Sequence, residues 1–210
     1  MTDTTKPEIS PEEAEAHKAE MKAQQEEHRA KMREKEKADR GLLLVNTGDG
    51  KGKSTAAFGT VIRALGWGWK VGIVQYIKGT WKTGEKEFFK RFDDLVTMKA
   101  MGDGFTWDTQ DKEQDIKSAR KAWEESKTMM SSGEYGLVVL DELNIVLRNH
   151  YLSVDEVLEG LATRHVDTDV IVTGRTAPQE LMDAADLVTE MTMIKHPFEA
   201  GIQAKPGIDY

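Results

Sequence analysis

The sequence predicts an α/β protein built on a mostly parallel sheet of about six strands, with helices on both faces and a helical arm at the N-terminus. Three observations lead there. Short apolar runs that do not alternate with polar residues ("LLLV", "VGIVQYI", "LVVLDEL", "DVIVTGR") recur along the chain, which is how strands buried on both faces read. Segments of helical character separate them, and that alternation implies parallel pairing through crossovers. A glycine-rich turn joins the first run to the next helix. The 210 residues suffice for one domain with an appendage: residues 1–40 as a charged arm, 41–210 as the globular part.

The arm differs from the rest in composition. Residues 12–40 contain no Val, Leu, Ile or aromatic side chain and are rich in Ala, Glu, Lys, Gln and Met, all good helix formers. Ser10-Pro11 supplies a cap and a first helical position, and Glu27 with Lys31 adds weak support at four-residue spacing. Two readings stand: a solvated or partly disordered helical tail, and a lid that orders over a ligand or a neighbouring subunit.

From Gly41 the elements follow in order. "LLLV" is a buried strand, and residues 54–65 form a helix stopped at Gly66. "VGIVQYI" is the second strand; a helix over 84–92 leads to a short third strand, "LVTMKA". After a loop carrying glycine and aromatic residues, Thr109 caps a long helix to about Met130. "LVVLDEL" (137–143) is the most apolar strand. Ser153 and Glu156 form a capping-box signature for a helix to about Arg164. "DVIVTGR" is a strand, Pro178 opens a further helix, and "LVTEMTMI" closes the sheet.

Bulk properties exclude several function classes. A formal net charge of −8 argues against a surface built for nucleic acid or an anionic membrane. An anionic ligand must therefore be captured by a local cluster of donors. With no cysteine there is no disulfide framework, thiolate metal site or cysteine nucleophile. No apolar run approaches the ~20 residues that span a bilayer, and no secretory-type segment stands at the N-terminus. The expectation is a soluble cytoplasmic protein.

The loop carries the chemistry. Thr47-Gly48-Asp49-Gly50-Lys51-Gly52-Lys53-Ser54 matches G-x-x-x-x-G-K-[ST] everywhere except the first position, where Thr47 replaces glycine. Glycines let successive backbone N–H groups converge on phosphate oxygens without a Cβ in the way, and the helix that follows adds its N-terminal partial charge. The N–H groups from Gly48 to Thr55 are thus the expected cradle. Lys53 supplies a mobile charge, Lys51 an additional phosphate contact, and the Ser54 hydroxyl a ligand for Mg2+. Asp141 and Glu142 end a buried strand at the carboxyl edge, where ligands of such sheets bind, and supply the metal's second oxygen source. Arg63, three helical turns along, either points back to the same site or faces solvent; the same choice holds for Arg175, just past "IVTG".

The loop "TGDGKGKST", the strand "VVLDEL", the segment "GDGFTWDTQ" and the tail "GIQAKPGIDY" together resemble the ATP:corrinoid adenosyltransferases, which act on cobalamin and its precursor cobyrinic acid a,c-diamide. "TAAFGTVIRALG" and "VGIVQYIKGTW" extend the likeness over about residues 41–210. The missing first glycine is consistent with it, since this family has a shortened phosphate loop. The resemblance implies a RecA-like P-loop core and a homodimer. It implies that corrinoid Co(I) attacks C5′ of ATP, with triphosphate leaving intact. It also assigns Phe105 and Trp107, which alone read as an ordinary aromatic cluster, to the corrin's lower face, where they exclude an axial ligand and ease reduction of Co(II). The electron comes from a reduced flavin or flavoprotein. Co(I) has no proton to lose, so no general base is assigned. The rival readings are a P-loop ATPase or kinase acting at the γ-phosphate, with Glu142 orienting water and Arg175 as an arginine finger, and a non-enzymatic ATP switch or corrinoid chaperone.

Overall fold

The computed structural model describes residues 9–35, 38–77, 82–101 and 111–209. The segment holding Phe105, Trp107 and Thr109 lies outside these. The chain divides into two compact units, Met1–Ala38 and Asp39–Tyr210.

In the first unit, helix α1 spans Pro11–Arg33 and carries no buried residue. Its start is the one the sequence expects. The Ser10 hydroxyl accepts the Glu13 N–H at 3.2 Å, and the Glu13 carboxylate accepts the Ser10 N–H at 2.9 Å, a reciprocal capping box. Lys31 donates to Glu27 at 2.6 Å one turn away.

In the second unit the order is β1 (Leu43–Thr47), α2 (Lys53–Gly66), β2 (Val71–Gln75), α3 (Gly84–Phe89) with a 3-10 turn at Lys90–Phe92, β3 (Val96–Ala100), α4 (Lys112–Ser131), β4 (Leu137–Asp141), α5 (Leu143–Arg148), α6 (Val154–Ala162), β5 (Asp169–Thr173), α7 (Gln179–Ala184) and β6 (Leu187–Glu190). The six strands form one sheet in the order β3-β2-β4-β5-β1-β6, and every pairing is parallel. β5 therefore lies between the loop strand β1 and the carboxylate strand β4. No described helix is long and apolar enough to cross a membrane.

The non-alternating runs have a direct explanation: successive strand residues feed two cores. Val45, Val74, Val138, Leu140, Val170 and Val172 pack with Trp123, Met130, Leu143, Val157 and Leu161, from α4, α5 and α6. Their neighbours Val71, Ile73, Leu137, Val139 and Ile171 pack with Ala57, Phe58, Val61 and Phe89, from α2 and α3. Each fully buried large side chain contributes roughly 1.5–3 kcal/mol, so both strand faces are held. Packing is close: a Cβ on Gly160 of α6 would lie 2.3 Å from the Trp123 ring.

Several boundaries differ from expectation, three of them with a visible cause. α4 begins at Lys112, because the Asp111 carboxylate accepts the N–H groups of Glu113 and Gln114, both at 3.1 Å; Asp111, not Thr109, is its cap. β4 stops at Asp141, since Glu142 turns into the left-handed region (φ 67°) and starts α5, a helix the apolar run "LVVLDEL" concealed. β6 ends at Glu190, where Met191 turns onto the glycine loop.

Candidate functional site

β1 delivers the chain to the loop at the carboxyl edge of the sheet. Gly48 (φ 90°) and Gly52 (φ 111°) take left-handed conformations that side chains resist. Crowding adds to this: a Cβ on Gly48 would lie 2.5 Å, and one on Gly50 2.7 Å, from the Met191 carbonyl oxygen. The loop is pressed onto the segment after β6. The Gly50 N–H donates to the Met191 carbonyl at 2.6 Å, and the Met191 N–H to the Thr47 carbonyl at 2.9 Å. Of the N–H groups expected to form the cradle from Gly48 to Thr55, that of Gly50 donates to a protein carbonyl here.

Thr47, the departure from the glycine pattern, has a role of its own. It is buried, and its hydroxyl accepts the Ala177 N–H at 3.0 Å, tying β1 to the β5–α7 connection. Gly52 caps α2 without a side-chain hydrogen bond, leaving the first-turn N–H groups of Lys53, Ser54 and Thr55 to outside acceptors. Asp49 is exposed on the loop, and a cavity of about 310 Å³ opens beside it, lined by Thr47, Gly48, Thr176, Ala177 and Glu190.

Lys53 is 7% exposed, and its ammonium donates to the Gly50 carbonyl. Burial lowers its pKa; the Glu142 carboxylate opposes that, Arg175 reinforces it, and Asp49 and Lys51 follow with smaller effects of opposite sign. Lys53 follows β1, Glu142 follows β4 and Arg175 follows β5, and these strands are parallel neighbours in the order β4-β5-β1, so all three lie at the carboxyl edge of the sheet. Arg175 is exposed at the exit of β5.

The two carboxylates are not equivalent. Asp141 is fully buried: one oxygen accepts the Gln75 amide at 2.9 Å and the other the Thr173 hydroxyl at 2.8 Å. Glu142 is half-buried, and its Oε2 would lie 3.2 Å from a Cβ placed on Gly174. Glu142 is the carboxylate whose charge acts on Lys53, while both Asp141 oxygens are engaged by Gln75 and Thr173. Among the described residues, the buried Gln75 Oε1 and Asn144 Oδ1 have no hydrogen-bond partner. Each belongs to a side chain whose amide nitrogen is committed, Gln75 to Asp141 and Asn144 to the Gly174 carbonyl at 2.9 Å. These two buried oxygens are acceptors that a cation or ordered water would satisfy.

Lys51 and Arg63 are placed differently from the other loop-associated cations. The Lys51 ammonium pairs with the Asp209 carboxylate, which also accepts the Lys205 N–H at 2.8 Å. The Lys51 hydrogen bond holds the Asp209 pKa below the ordinary carboxylate value. The C-terminal tail is thereby fastened to the loop. Arg63 lies ten residues beyond Lys53 on α2, about 15 Å along the axis at 1.5 Å per residue. It lines a groove of about 480 Å³ with Leu42, Trp67, Trp69, Leu137 and Asp169, at the starts of the strands. Within one chain Arg63 is thus on the opposite edge from the loop.

Sequence reading missed Gln75, Thr173, Asn144, Met191 and Asp209. Gln75 and Thr173 carry the signal that identified Asp141, a polar residue ending an apolar parallel strand. Met191 and Asp209 act through backbone and long-range docking, for which the sequence offers no periodicity.

Comparison with known proteins identifies the relatives of this chain. The family model described as ATP:corrinoid adenosyltransferase BtuR/CobO/CobP matches residues 39–210. A corrinoid adenosyltransferase of Pseudomonas aeruginosa is 48% identical over 204 residues, 96% of this chain and 98% of that protein. Corrinoid adenosyltransferases of Escherichia coli K12 and Salmonella typhimurium are each 44% identical over 172 residues, 82% of this chain and 87% of theirs. A glycine loop closed by Lys53, a carboxylate strand one position removed from it, and a match running from residue 39 to the end of the chain place this protein in the ATP:corrinoid adenosyltransferase family.

Proposed function

We propose that residues 41–210 transfer the 5′-deoxyadenosyl group of ATP to the Co(I) of cobalamin or cobyrinic acid a,c-diamide, in making or salvaging adenosylcobalamin. The observation that carries the reading is the placement of the glycine loop with Lys53, of Glu142 and of Arg175 after the adjacent parallel strands β1, β4 and β5, at one edge of the sheet, in a chain of this family. An electron pair on Co(I) forms the Co–C5′ bond, the C5′–O bond breaks, and its electrons leave with triphosphate. No proton moves, so the chain needs no general base. Its tasks are to hold C5′ in line with cobalt and to stabilise charge on the leaving group.

Lys53, Arg175 and the N–H groups of α2's first turn serve the second task. Mg2+, when bound, would neutralise part of the triphosphate charge, and the residues fit it. The described residues hold no group of three or more His, Cys, Asp or Glu side chains placed to bind a metal ion by themselves. A Mg2+ site in nucleotide enzymes uses one or two carboxylates with phosphate oxygens and water, and Glu142 with the Ser54 hydroxyl meets that need. The buried amide oxygens of Gln75 and Asn144, without a partner among the described residues, are acceptors that a hydrated cation could satisfy. Phe105 and Trp107 are proposed, from the resemblance, to lie under the corrin and keep cobalt four-coordinate, with a reduced flavin or flavoprotein as electron donor and a homodimer as the working assembly.

The test is incubation with ATP, Mg2+ and chemically reduced cobalamin. A light-sensitive alkyl-cobalt spectrum with stoichiometric triphosphate is expected. ADP in its place would establish γ-phosphate chemistry and overturn the assignment.

A further inference from the structure

Thr173, at the end of β5, stands between the two strands that carry the site. It is in register with Asn46 of β1, and on the other side Val172 aligns with Leu140, the residue before Asp141. Its hydroxyl is buried and makes two hydrogen bonds whose directions are fixed by chemistry. The Glu142 backbone N–H can only donate, and does so to Thr173 Oγ1 at 2.9 Å. The hydroxyl's one proton then goes to Asp141 Oδ1 at 2.8 Å. Asp141 is braced on its other oxygen by Gln75.

What this bracing holds is the unusual part. Glu142 is a non-glycine residue at φ 67°, a conformation that persists only where the surroundings over-determine it. The N–H that Thr173 grips is that of the strained residue itself. The next residue completes the seat. Gly174 (φ 129°) has no room for a side chain, since a Cβ there would stand 2.9 Å from Asn144 Cβ and 3.2 Å from Glu142 Oε2. Its N–H donates to the Asn46 carbonyl at 3.2 Å, and the Asn46 amide donates to the Lys53 carbonyl at 3.2 Å. The carboxylate turn and the start of α2 are thus linked through the end of β5.

We infer that Thr173 is a positioning residue: through the Glu142 N–H it locks the strained turn that aims the Glu142 carboxylate at the metal–phosphate side of the site. The inference rests on the adenosyl-transfer reading for its activity assay, but not for its binding assay. Thr173→Val keeps the side chain's shape and removes both hydrogen bonds; Thr173→Ser keeps the hydroxyl.

The experiment measures binding of inorganic tripolyphosphate by calorimetry, with and without Mg2+, beside adenosylation of reduced cobalamin. For Thr173→Val, binding without metal is expected to equal wild type, since the glycine loop is untouched. Binding with Mg2+ should weaken about tenfold, and half-maximal activity should require about tenfold more Mg2+, within the 10–100-fold range of residues that orient a metal ligand. Thr173→Ser should recover most of that loss. Because Thr173 acts through Glu142, the Thr173→Val/Glu142→Gln pair should be no worse than Glu142→Gln alone. Equal weakening with and without Mg2+, failure of serine to rescue, or multiplied losses in the pair would each overturn the inference. A wild type that binds Mg2+–tripolyphosphate but forms no alkyl-cobalt would sink the adenosyl-transfer reading, while the calorimetric cycle still decides the role of Thr173.

Discussion

Lys53 is asked to be both buried and charged, and the structure shows how that conflict is managed. Desolvation pulls its pKa down, and Glu142 restores part of the loss. With a folded pKa below the ordinary 10.5, the charged lysine costs stability at pH below its folded value, and that cost fades as pH rises through it. Phosphate binding needs the charge, so the sign for binding is opposite. Tripolyphosphate affinity should fall as pH climbs toward 10.5, earlier than for an ordinary lysine, and calorimetry across alkaline pH checks this. Lys53→Ala should abolish turnover through lost ATP binding and show no such alkaline decline. Trp107→Ala tests another residue role: it should spare the reaction when Co(I) is supplied ready-made and impair it when Co(II) must be reduced on the enzyme. Equal losses in the two spectral assays would refute the role of the ring.

At the scale of elements, β6 shows how a weakly buried strand is fixed in place. All four of its residues are exposed, so hydrophobic burial does little for it, and polar anchors substitute. Asp186, just before it, accepts two hydrogen bonds from the Arg40 guanidinium and one from the Leu43 N–H at 2.8 Å, while its own N–H donates to the Leu43 carbonyl at 2.8 Å. The guanidinium holds the Asp186 pKa down from 3.8 to about 2. A depressed carboxylate pKa contributes stability that is fully present above the unfolded value and is lost as pH falls through the folded one. Asp186→Asn should therefore lower the urea midpoint relative to wild type above pH 3.8, with the gap closing as the pH approaches 2. A gap that persists at low pH would assign the effect to packing. The anchor matters to the site because Met191, next past β6, forms the wall on which the glycine loop rests.

For the whole molecule, the second unit contains both cores, the complete sheet and the loop, and α1 contributes no buried residue. Removing residues 1–38 should leave the thermal midpoint of the remainder within ~4 °C, the change that about 1 kcal/mol produces in a domain of this size; a larger fall in a calorimetric scan would make the arm part of the folding unit. The sequence by itself determined the α/β class, the six strands, the capping of α1 by Ser10, and the loop with Lys53 and Ser54. These signals are local: apolar runs, helix caps and the offset of lysine from glycine are written in neighbouring residues. Only the tertiary structure decided that Asp141 is fully buried while Glu142 is half-buried, that Arg63 lines the groove at the starts of the strands, that Lys51 is held by Asp209 from 158 residues away, and that Thr173 joins two strands into one seat. Those facts depend on which strands become neighbours and where a backbone turns left-handed, and such choices are made by packing energies summed over the whole sheet.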